Sequence, residues 1–254
     1  MRLGAVTYNV LKDWDLETVI TKLEEAGGFE GVELRTGHAH RVEPDLSDEE
    51  RTRVRRRFER SRIKLVGFGT TCEFHSPDAA ERARQLEIGR RFVELAHDTG
   101  AIGIKVRPNA LPKEVPAETT IRRIAQALAE LADYGQRRGV EVWLEVHGRE
   151  TSDPKICAEI MRLARHDYAG LCWNSNLNPA EVINGSVKSS FALLEPWIKH
   201  VHINELANDY PWRELFTLLK KAGYDRYTMM EAQESKEPER FLRWYRALWR
   251  ELVR

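Results

Sequence analysis

Eight short runs rich in apolar and β-branched residues are spaced along the chain, with a longer helical pattern between each and the next. The runs fall at 3–8, 31–35, 63–69, 101–107, 140–147, 170–174, 198–204 and 226–231. A strand repeat of roughly 30–40 residues with intervening helices restricts the chain to parallel α/β architectures. Leu16, Val19, Ile20 and Leu23 recur at helical spacing, with Asp15 placed to cap that helix and Gly27-Gly28 placed to stop it. Ile121, Ile124, Leu128 and Leu131 repeat the pattern before Gly139, and Leu215, Leu218 and Leu219 repeat it before Gly223. Residues 47–62 read as a charged helix with few apolar positions. Eight strands point to a closed (β/α)8 barrel filling residues 1–254 as one domain. The competitor, an open doubly wound sheet, finds no G-x-G-x-x-G after its first strand and no phosphate-binding P-loop. The prolines of 109–116 mark a long βα loop rather than a boundary.

Composition narrows the partners. Among 254 residues, 40 Lys and Arg balance 40 Asp and Glu, so a strongly basic nucleic-acid binder is not expected. No run approaches the roughly 18 apolar residues of a membrane span, and MRLGAVTYNV lacks the basic and apolar regions of a secretory signal. Cys72, Cys157 and Cys172 are odd in number and form no C-x-x-C pair, which argues for reduced thiols in a cytoplasmic protein.

Alternation along each strand separates the side chains facing the helices from those facing the barrel interior. In the fifth strand, Val142, Leu144 and Val146 take the helix side, leaving Trp143, Glu145 and His147 inside. In the seventh, Val201 and Ile203 face out while His200, His202 and Asn204 face in. The fourth places Ile102, Ile104 and Val106 outward and Lys105 and Arg107 inward; the second turns Glu33 and Arg35 inward. In the sixth, Cys172 and Asn174 oppose Leu171 and Trp173, and in the eighth Glu231 follows Tyr227 and Met229. Six strands thus end in a polar residue at the inward position. Buried charges are costly unless paired or bound to a cation. The pattern reads either as an ion-pair network or as a site at the strand ends, where such barrels do their chemistry. Glu145, Asn174, His202 and Glu231 offer two carboxylates, an amide oxygen and an imidazole. That set suits Mn²⁺ or Mg²⁺, and Zn²⁺ or Co²⁺ are compatible with it. An ion with open positions holds adjacent oxygens of a polyol and polarises a carbonyl, while two flanking carboxylates move a proton at the neighbouring carbon.

GVELRTGHAH at 31–40, GTTCEFHSPD at 69–78, IKVRPN at 104–109, WLEVHG at 143–148, LCWNSN at 171–176, HVHINE at 200–205 and MMEAQES at 229–235 each sit at a strand end. In this order they resemble the xylose isomerase-like TIM barrels, the sugar (phosphate) isomerases and epimerases and the apurinic endonucleases of the same fold. The resemblance covers nearly the whole chain. It implies one divalent metal on Glu145, Asn174, His202 and Glu231, with Glu145 and Glu231 also acting as acid and base. It implies that His147 binds or polarises substrate and that His38 and His40 line the mouth of the site. Asn174 stands where the family usually has Asp, so the shell carries two formal negative charges instead of three and metal affinity should fall.

Other residues keep two readings. Lys105 and Arg107 bind an acidic or phosphorylated substrate, or neutralise Glu33 and Glu145. Asn176 and Asn178 contact sugar hydroxyls, or shape the turn before Pro179. Glu73 and His75 join the site or stay solvated; His97 and His166 read as structural or solvated. Phe241, Trp244, Leu248 and Leu252 form one face of the last helix, which packs on the barrel or, on a weaker reading, lies on a membrane surface. The leading function is a metal-dependent sugar isomerase or epimerase acting on a small carbohydrate, with homo-oligomerisation left open. A lyase eliminating a β-oxygen from a keto-sugar uses the same groups. A non-catalytic sugar-binding barrel is motivated by Asn174. An apurinic endonuclease would carry more His and Asp ligands, and Leu177 stands where it would place a His.

Overall fold

The computed structural model describes residues 1–254. Eight parallel strands close in sequence order, with β1 (Arg2–Val6) hydrogen-bonded to both β2 (Phe29–Arg35) and β8 (Tyr227–Met230). Between them run β3 (Lys64–Glu73), β4 (Gly103–Arg107), β5 (Glu141–Glu145), β6 (Ala169–Asn174) and β7 (Ile198–Ile203). The helices α1 (Leu16–Ala26), α2 (Asp48–Glu59), α3 (Ala79–Thr99), α4 (Ala117–Gln136), α5 (Pro154–Ala164), α6 (Lys188–Leu194), α7 (Trp212–Lys221) and α8 (Pro238–Leu252) form the outer ring. The chain is a (β/α)8 barrel. No helix is long and apolar enough to cross a membrane.

Local chemistry explains where the helices start. Asp15 accepts from the Thr18 amide, and Asp78 and Asp153 cap α3 and α5 in the same manner. The charged α2 buries only Val54 and Phe58, yet Ser47 and Glu50 close a reciprocal capping box at its start. Strand ends depart from the sequence reading by a few residues. β3 runs on to Glu73, with irregular register beyond Gly69. β5 stops at Glu145, so His147 stands in the following loop. Ile102 was expected on the helix side of β4; it precedes that strand and is 37% exposed.

Two apolar regions hold the barrel together. The larger lies between sheet and helices. The smaller fills the interior with Val6, Val66, Trp143, Cys172, Tyr227 and Met229. Trp143 stacks on His200 with ring centroids 4.3 Å apart. It fits because its neighbours have no side chain: a Cβ on Gly67 or Gly103 would sit 2.7 or 2.6 Å from its ring. At the N-terminal end, Glu141 accepts from the Trp143 indole (2.8 Å) and pairs with Arg226 (2.6 Å). Trp143 is therefore fixed at one end by a hydrogen bond and at the other by stacking. It plugs the cylinder beneath the polar strand ends. Gly103→Ala should cost about 1–3 kcal/mol through overpacking against this ring, measured by urea unfolding; an unchanged midpoint would contradict the packing argument.

Candidate functional site

At the C-terminal ends of the strands a polar cavity of roughly 360 Å³ opens, with Tyr8 and Leu177 as its hydrophobic members. On its floor the donor atoms of Glu145 (β5), His202 (β7) and Glu231 (just past β8) lie within 4.8 Å of one another. His202 Nδ1 stands 3.4 Å from Glu145 Oε1 and 3.2 Å from Glu231 Oε2, yet it is buried with no hydrogen-bond partner. Asn174 Nδ2 lies 3.3 Å from Glu145 Oε1, and turning the amide over presents its oxygen at the same point. The barrel thus brings together all four residues expected to share a metal. An orphaned imidazole nitrogen between two carboxylates fits a divalent cation.

The other face of His202 explains this orientation. Its Nε2 lies 3.1 Å from Glu33 Oε2, and His200 Nε2 lies 2.6 Å from the same oxygen. With Nε2 directed to Glu33, Nδ1 is the nitrogen that faces the carboxylates, and its lone pair would be the one offered to a cation. Burial opposes ionisation of Glu33, but the charges and hydrogen bonds of His202 and His200 hold its carboxyl well below the usual range. Burial also disfavours the imidazolium of His202; Cys172, Glu33 and Glu231 more than offset this and push it well up. Cys172 is itself pushed up to about 11 by burial, so it stays a neutral thiol and the carboxylates account for the effect. A cation at Nδ1 would displace that proton. Cys172, His200 and His202 form a second convergent group, but it is wholly buried and His200 is committed to Glu33 and Trp143. The sequence placed Glu33 inside the barrel without assigning it to the site. Its i, i+2 partners His200 and His202 on one strand face were the available signal.

Lys105 reaches Glu145 Oε2 at 2.8 Å, and both side chains are nearly inaccessible. Burial opposes ionisation of Glu145, but the Lys105 ammonium and His202 hold its carboxyl far down. Arg107 pairs with Glu73, to which His75 comes within 3.8 Å. His147 lines the cavity; burial holds its imidazole down against the pull of Glu145, so it is neutral at pH 7. Asn176 lines it too, with Nδ2 donating to Val146 O (2.7 Å), Asn174 O (2.9 Å) and Glu181 Oε2 (3.1 Å). Asn178 accepts from the Ala180 and Glu181 amides, both at 2.9 Å, and is a turn residue. His38 and His40 do not line the cavity. His40 is buried, with Nε2 on Arg35 O at 2.8 Å and Nδ1 accepting from Val42 N, while His38 meets Thr7 Oγ1 at 3.0 Å. Sequence reasoning also passed over Glu181, a buried carboxyl that accepts from Tyr210 (2.6 Å) and from Asn176.

The profile of the xylose isomerase-like TIM barrels matches residues 20–251, and the chain belongs to that family. Its fold is similar to that of D-psicose 3-epimerase from Clostridium cellulolyticum H10, solved with D-tagatose: 15% identity, TM-score 0.84, covering 100% of this chain and 99% of that one. The IOLI protein, solved with a zinc atom, shares 17% identity at TM-score 0.76, covering 100% and 96%. The probable 3-DHS dehydratase AsbF from Bacillus anthracis shares 13% at TM-score 0.77, covering 100% and 99%. No curated protein matches the chain by sequence.

Glu33→Gln should lower Mn²⁺ affinity by about 10–100-fold, because the support for the His202 tautomer weakens; direct metal titration checks this, and unchanged affinity would remove Glu33 from the site. Burial pushes Glu181 up to about 8 from an ordinary 4.5, against the hydrogen bonds of Tyr210 and Asn176. The folded protein then holds an extra proton between those values. Stability from this group is complete below 4.5 and is lost as pH rises to about 8. Urea melts across that window should show wild type losing stability relative to Glu181→Gln, by up to about 1.4 kcal/mol per pH unit; parallel curves would refute it.

Proposed function

We propose that this protein is a divalent-metal-dependent isomerase or epimerase of a sugar or sugar-like keto compound. The observation that carries the reading is the buried, unpartnered Nδ1 of His202 between Glu145 and Glu231 on the cavity floor. The sugar epimerase of the same fold supports the substrate class, and the zinc-bound neighbour supports the metal. Glu145, His202, Glu231 and Asn174 would hold the ion. When bound, it orients adjacent substrate oxygens and acidifies the carbon beside the carbonyl.

The chain's own groups supply the proton transfers. Glu145, kept ionised by Lys105, would be the proton acceptor, although the same pairing lowers its basicity. Glu231, whose side chain is 19% exposed and in reach of water, would be the second carboxyl. If the two carboxyls address opposite faces of the planar intermediate, removal by one and return by the other inverts the carbon. His147 and Asn176 line the cavity; in this reading His147 would hydrogen-bond a substrate hydroxyl and Asn176 would add a second polar contact. Lys105 acts mainly on Glu145 rather than on substrate. Mn²⁺ or Mg²⁺ suits the oxygen-rich donor set, with Zn²⁺ or Co²⁺ also accommodated. The lyase reading uses the same first step and is favoured by the dehydratase neighbour. There His147 would help a β-oxygen depart. Glu231→Gln should reduce exchange of the substrate's carbon-bound proton with deuterated water by about 10²–10⁴-fold while the circular dichroism spectrum is retained. Normal exchange by that variant would refute the assignment, and an unsaturated product would identify the lyase.

A further inference from the structure

The cavity is electrically divided. Its carboxylates and His202 come from β5, β7 and the end of β8, while its cations, Arg35, Lys105 and Arg107, come from β2 and β4. Lys105 is matched by Glu145, and Arg107 by Glu73. Arg35 has neither: no carboxylate lies within the 4.0 Å of an ion pair. Its guanidinium makes one hydrogen bond, from Nη1 to Thr36 O at 2.9 Å, and sits 5.7 Å over the Tyr8 ring. Most of its five N–H donors are uncommitted.

Arg35 is nevertheless held from several sides. Its amide donates to Thr7 Oγ1 at 2.9 Å, and its carbonyl bonds His40 Nε2 at 2.8 Å. Gly69 is its partner across the sheet, and a Cβ there would meet Glu33 Oε1 at 2.5 Å and Arg35 Cδ at 3.4 Å. Thr7 and His40 thus fix the Arg35 backbone at the cavity wall, Gly69 leaves room for its stem, and Thr36 O and the Tyr8 ring are the guanidinium's own contacts, so its counter-charge is unsupplied. A guanidinium in a polar cleft binds carboxylate or phosphate oxygens in pairs.

We infer that Arg35 is a specificity-determining residue that receives a terminal anionic group, carboxylate or phosphate, on the substrate. The inference rests on the sugar-binding part of the reading above. The keto-polyol end would lie toward Glu145 and Glu231, and the charged end toward β2.

D-Fructose, D-fructuronate and D-fructose 6-phosphate share a carbon skeleton and end in hydroxyl, carboxylate or phosphate; the D-tagatose series repeats the comparison with the opposite configuration at one carbon. Calorimetric titration of the Mn²⁺-loaded and the EDTA-treated protein should show one anionic member binding at least tenfold more tightly than the neutral ketose. Which anion is preferred identifies the group. Arg35→Gln should abolish that preference while neutral ketose binding stays within twofold, and Arg35→Lys should restore part of it. Equal binding of neutral and anionic members, equal weakening of both in Arg35→Gln, or no binding by any member overturns the inference. Turnover of neutral ketoses with no anion preference would reject it and leave the epimerase reading standing. An Arg35-dependent anion preference without proton exchange would do the reverse.

Discussion

The hydrogen bond between His202 and Glu33 determines what the rest of the site can do. An imidazole presents a lone pair on one nitrogen only when the other carries the proton. Glu33 accepts from Nε2, so an ion that displaced the proton on Nδ1 would find that nitrogen's lone pair turned to the cavity. Glu33 is itself fully buried, and the two imidazoles of β7 make that burial tolerable. The barrel interior is arranged around this cluster. Trp143 supports His200 from below, and Gly69 leaves the space that the Glu33 carboxylate occupies.

Above the cluster, closed strand geometry separates groups by strand of origin. β5 to β8 supply oxygen and nitrogen donors, and β2 and β4 supply fixed positive charge. The separation is incomplete at one point, where Lys105 crosses to Glu145. A buried ion pair of this kind adds little net stability. Its effect is on Glu145, whose charge it preserves.

Much of this was legible from alternation alone. Glu145, His202 and Glu231 fall at inward positions near strand ends, and a parallel barrel gathers such residues whatever the loops do. The eight strands were legible for the same reason. Loops broke the inference. His38 and His40 follow β2, where parity no longer constrains direction; His40 turns to backbone groups and His38 to the Thr7 hydroxyl instead of the cavity. Glu181 lies in the β6–α6 connection, and its bond to Tyr210 joins residues 29 positions apart. No local pattern announces such a contact. Asn178 went the other way: the turn reading before Pro179 was a local one, and its side chain does bond the amides next to it.

The Lys105–Glu145 pair also bears on the order of events in the life of the chain. Metal sites whose ligands repel one another when empty tend to make folding wait for the ion. Here an ammonium already sits among the acidic groups, so the cylinder can close around a resident positive charge. Assembly of the scaffold would thereby need no ion, and any metal the site takes would enter a cavity already formed.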